Sequence, residues 1–90
     1  MIQRKVTICN KLGLHARASS KLAQTASQFA SSVSIGPDET QLADCKSIMA
    51  LMMQAAGVGS ELVLVVEGDD EERAASEVCK LIADKFGEVE

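Results

Sequence analysis

Polar and apolar positions alternate at the start of the chain. Val6 and Ile8 fall on one side, Lys5 and Thr7 on the other, so residues 3–9 read as a half-buried strand. Residues 10–15 break this period with Asn and Gly, which serve turns. From Ala16 to about Ala30 the spacing becomes helical, with Leu22, Ala23, Ala26 and Phe29 completing one apolar stripe. Val33 and Ile35, separated by serine, predict a second strand, and Gly36-Pro37-Asp38 turns the chain into a short third one over residues 40–43. Ser47 suits a helix N-cap, because its oxygen accepts an orphan first-turn amide. The short helix after it has Ile48, Leu51, Met52 and Ala55 on its inner face and is stopped by Gly57 and Gly59. Residues 61–67 enclose Leu-Val-Leu-Val-Val, the strongest strand signal in the chain. Acidic residues 69–72 open the last helix, whose stripe is Ala75, Val78, Cys79, Ile82 and Phe86. The order βαββαβα predicts an α+β open-faced β-sandwich: a four-stranded antiparallel sheet covered on one face by three helices.

Ninety residues are expected to make one domain, residues 1–90, with a single core. Phe29 and Phe86 are the only aromatics, and the net charge is −4. Without aromatic stacking platforms or an overall positive charge, nucleic-acid binding is not expected. The charge is unevenly spread: residues 1–37 hold five bases (Arg4, Lys5, Lys11, Arg17, Lys21) and no acid, whereas residues 38–90 hold thirteen acids against four bases. The only histidine therefore lies in a locally positive third of the chain, which suits a small anion or an acidic protein surface. Cys9, Cys45 and Cys79 form no metal-binding spacing. Cys9 and Cys79 are expected as buried thiols and Cys45 as the more exposed one. No signal peptide or membrane span is apparent, which points to a reducing cytoplasm.

Gly13-Leu14-His15-Ala16-Arg17 places an imidazole where an irregular loop becomes a helix. First-turn amides there lack intrahelical partners, and the helix dipole favours negative charge. Taken alone, the pattern fits both an ordinary surface histidine and a phosphoryl acceptor.

The same five residues resemble the active-site signature of the histidine-containing phosphocarrier (HPr) family of the bacterial phosphotransferase system. Lys46-Ser47-Ile48-Met49 resembles that family's regulatory-serine segment, and the element order and length match over the whole chain. The resemblance implies a phosphocarrier that is not itself an enzyme and needs no cofactor or metal. His15 would be phosphorylated on Nδ1 by enzyme I, which draws on phosphoenolpyruvate, and would pass the group to an enzyme IIA. Arg17 would contact the phosphate. Ser47 would be the target of an HPr serine kinase/phosphorylase where one is present.

In the second helix, Ile48 and Met52 are expected to pack inward, leaving Met49 and Met53 for partners; methionine adapts to several surfaces. A docking patch is thus expected from Ile48, Met49, Leu51 and Met53 with Ala16, Ser20 and Lys21 of the first helix, on a monomer. The family's usual proline after the arginine is replaced by Ala18, which loses pre-organisation but restores an N–H as a further phosphate donor. Ala50 with Met52-Met53 resembles the family's nitrogen-related, regulatory branch more than its sugar-transport members. The rival expectation is a small α+β binding module that is never phosphorylated.

Overall fold

The computed structural model describes residues 1–54 and 56–90. Ala55, expected on the inner face of the second helix, lies outside them. Four strands, β1 (Ile2–Thr7), β2 (Ser32–Gly36), β3 (Ala43–Asp44) and β4 (Glu61–Glu67), form one antiparallel sheet in the order β1-β4-β2-β3. β4 is central and pairs on both sides, with Arg4 opposite Leu64 and Ile35 opposite the same residue. Its alternation is reproduced in burial: Leu62, Leu64 and Val66 face the core. Three helices, α1 (Ala16–Ala26), α2 (Ile48–Met53) and α3 (Glu71–Ala83), complete the expected order. The open-faced sandwich is therefore as the sequence predicts. Val6, Ile8, Val33, Ile35, Leu64 and Val66 meet Leu22, Ala26, Val78 and Ile82 in a continuous apolar cluster. Each large aliphatic side chain buried this way contributes about 1.5–3 kcal/mol.

Several local expectations need correction. α1 stops at Ala26, and Ala16 and Ala30 are exposed; Leu22, Ala23, Ala26 and Phe29 are buried as expected, and Ala18 joins them. β3 is shorter and later than residues 40–43. It alternates Ala43 in, Asp44 out, and the Cys45 N–H donates to Val33 O at 2.8 Å, which sends the Cys45 side chain inward. Cys45 is wholly buried, and burial, helped by the Asp44 charge, pushes its thiol pKa up to about 12. Cys9 and Cys79 are the half-exposed pair. α2 ends at Met53 with Gln54 as C-cap, before either glycine.

The last correction shapes the site. Phe86 does not extend the α3 stripe. The helix ends at Ala83, and Lys85 and Phe86 both take positive φ (57° and 56°) in a 3₁₀ turn, Lys85–Gly87. Non-glycine residues rarely adopt this conformation, at a cost of about 1–2 kcal/mol each. Complete burial of the Phe86 ring offsets that cost. The reversal carries residues 88–90 back across the molecule toward the loop after β1.

Candidate functional site

His15 is the N-cap of α1, in extended backbone, with its ring 29% exposed. The loop before it is held from several sides. Leu14 N–H donates to Ala56 O at 2.9 Å, the buried Asn10 side chain donates through Nδ2 to Gly13 O at 2.8 Å, and the buried Leu14 side chain anchors the turn. Gly13 has φ +66°, and a Cβ there would lie 2.3 Å from Ala56 O, so the turn and its close approach both require glycine. Ser19 N–H is the first amide of α1 to bond back, to His15 O at 2.9 Å. The amides of Ala16, Arg17 and Ala18 precede that first bond, and the positive end of the helix lies beside the imidazole.

Arg17 is exposed and lines the same recess as Lys11, Leu12, His15 and Glu88. Among the described residues it forms no ion pair, so its guanidinium is available to an anion. The structure thus brings His15 and Arg17 together as expected. Ala18 does not fill the role expected of it: position 18 starts the core stripe of α1, and the residue is fully buried. Its N–H is therefore not presented to solvent as a further donor.

One group in the recess has no counterpart in the sequence-based expectations. The Glu88 carboxylate lies with Oε2 at 2.5 Å from His15 Nε2 and accepts from Asn10 Nδ2 at 3.0 Å through Oε1. The Asn10 and His15 hydrogen bonds, in that order, hold the Glu88 carboxyl below its ordinary pKa, against the opposing effect of burial. It stays ionised at neutral pH. The C-terminal segment is further tied down by Lys11, whose ammonium sits 3.5 Å from the Glu90 carboxylate and whose N–H donates to Glu90 O.

Ser47 caps α2 as expected, its hydroxyl accepting from Ala50 N–H at 3.2 Å. The docking residues divide. Met49 (73% exposed) and Met53 (79%) stand out from α2. Ile48 and Leu51 are each expected both on the inner face and in the patch: Ile48 is partly exposed, as is Met52, which is expected inward, whereas Leu51 is completely buried and belongs to the inner face alone. A six-residue helix lying on α1 and β3 turns only one of its positions to the core, and Leu51 takes it. Ala16 is exposed and Ser20 half-exposed beside the site. Lys21 is half-exposed, but its ammonium donates to Phe86 O at 2.8 Å and is committed to the C-terminal turn. Val58 and Leu12 are further well-exposed apolar side chains.

The family model described as "PTS HPr component phosphorylation site" matches residues 2–84. The phosphocarrier protein HPr of Cupriavidus necator is 52% identical over 90 residues, spanning all of both chains. The phosphocarrier protein NPr of Shewanella violacea is 42% identical over 87 residues, covering 97% of this chain and 94% of its own. Among solved structures, HPr of Thermoanaerobacter tengcongensis superimposes with a TM-score of 0.91 at 40% identity, covering 98% of each chain. With a family match over nearly its whole length and relatives of both names, the chain belongs to the HPr family of phosphotransferase-system phosphocarriers.

Proposed function

We propose that this protein accepts a phosphoryl group on Nδ1 of His15 from enzyme I and passes it to an enzyme IIA. The observation that carries the reading is the position of His15 as N-cap of α1. Its ring stands at the first-turn amides and shares its recess with Arg17, which forms no ion pair among the described residues, in the cationic third of the chain. Phosphoryl transfer needs positioning and charge stabilisation more than acid–base machinery, and this site supplies both. Family membership gives the phosphocarrier activity, and with it the status of a substrate of other enzymes rather than an enzyme. The binding-module alternative leaves that membership unexplained.

Partners dock on Met49 and Met53 with Ala16, Ser20 and the exposed sides of Ile48 and Met52. This adaptable apolar patch adjoins the acceptor, and the protein works there as a cytoplasmic monomer. Ser47, half-exposed at the edge of the patch, is the site where a serine kinase adds charge that disfavours docking. The test is intact-mass analysis after incubation with enzyme I, magnesium and phosphoenolpyruvate. A single acid-labile phosphoryl adduct is expected on the wild type and none on His15→Ala. An adduct that survives in His15→Ala, or no adduct on the wild type with an enzyme I active on another carrier, overturns the reading.

A further inference from the structure

A neutral imidazole carries one N–H, and the partner of either nitrogen decides which one bears it. We infer that Glu88, oriented by Asn10, is a positioning residue that holds His15 as the Nε2–H tautomer and thereby keeps the Nδ1 lone pair open for phosphorus.

The chain of orientation is fixed at every link. Gly13 O lies 2.8 Å from Asn10 Nδ2, so the amide of this fully buried side chain must present its NH2 end; turned over, two carbonyl oxygens would meet. The second hydrogen of that NH2 reaches Glu88 Oε1 at 3.0 Å. The structure keeps this orientation although it leaves Asn10 Oδ1 buried without a hydrogen-bond partner among the described residues, an arrangement costly on its own. Glu88 Oε2 is then directed at Nε2, and a carboxylate that stays ionised can only accept there. During transfer the Nδ1 lone pair forms the new N–P bond while the donor's bond to phosphorus breaks, its electron pair leaving with the donor. The ring becomes cationic, and the Nε2 proton stays in its bond to Glu88, whose charge balances it.

The inference rests on His15 being the acceptor, and Glu88→Gln tests it separately. Gln keeps the shape of Glu88, but Asn10 Nδ2 claims its carbonyl oxygen, which turns its NH2 toward Nε2. Nε2 must then accept, so the proton moves to Nδ1. Nitrogen-15 NMR of His15 above pH 8, where free imidazole is neutral, is expected to show Nε2–H in the wild type and Nδ1–H in Glu88→Gln. Phosphorylation by enzyme I is expected to slow by about tenfold or more in the variant. Glu88→Ala, which removes the constraint without imposing another, is expected to give a mixture of tautomers and a smaller loss of rate. An unchanged tautomer in Glu88→Gln, or wild-type phosphorylation rates in both variants, overturns the inference. Failure of the wild type to accept phosphate overturns the acceptor reading instead, because the tautomer is read without enzyme I.

Discussion

Asp70 gathers three donors from the two residues just before β2: Ala30 N–H at 2.9 Å, Ser31 N–H at 2.9 Å, and the Ser31 hydroxyl. The Ser31 hydroxyl has the largest effect, followed by the Ala30 amide, and together they lower the carboxyl pKa from 3.8 to about 2. A group depressed on folding contributes stability that is complete above its unfolded value and lost as pH falls through the folded one. Asp70→Asn is therefore expected to flatten the acid limb of stability between pH 4 and pH 2, as read by chemical denaturation at successive pH values. Gly13 offers a test of the loop. Gly13→Ala adds a left-handed strain of about 1–2 kcal/mol and a clash with Ala56 O. Urea unfolding should show at least that loss, together with slower phosphorylation. At this scale His15 and Arg17 were legible because they are two positions apart in one motif. Glu88 and Asn10 were not: nothing in a single sequence marks a pair 78 positions apart, and Asn10 looks like any turn residue.

The elements show where pattern reading holds. β4 is a seven-residue alternation with a complete inner face, and its bounds and burial agree with the sequence. α2 is too short for its period to declare a side: Ile48, Leu51 and Met52 look equally eligible for the core, and only packing on α1 and β3 selects Leu51. α3 fails differently. Phe86 stands four positions after Ile82, as a continuing helix would have it, yet it reaches the core through a reversed backbone. The cap of α2 was legible from Ser47 alone. Ser47→Ala is expected to cost about 1 kcal/mol in thermal or denaturant unfolding, with the phosphorylation rate of His15 unchanged.

Over the whole molecule, α2 with its exposed Met49 and Met53 packs on α1 of the cationic N-terminal third, so under the proposed docking mode approach and docking depend on different forces. Replacing both Met49 and Met53 by lysine should leave stability within about 0.5 kcal/mol, since neither side chain is packed. Stopped-flow transfer from enzyme I should nonetheless be clearly slower. The sheet order adds a consequence for how the protein is made. β1 is made before the rest of the sheet, pairs among the described strands with β4 alone, and meets it across more than half of the 90 residues. The acceptor loop leans on Ala56, and the acceptor ring on Glu88. Contacts between such distant positions form late in folding. A nascent chain that already contains His15 therefore lacks the supports that position it until Ala56 and Glu88 have been added.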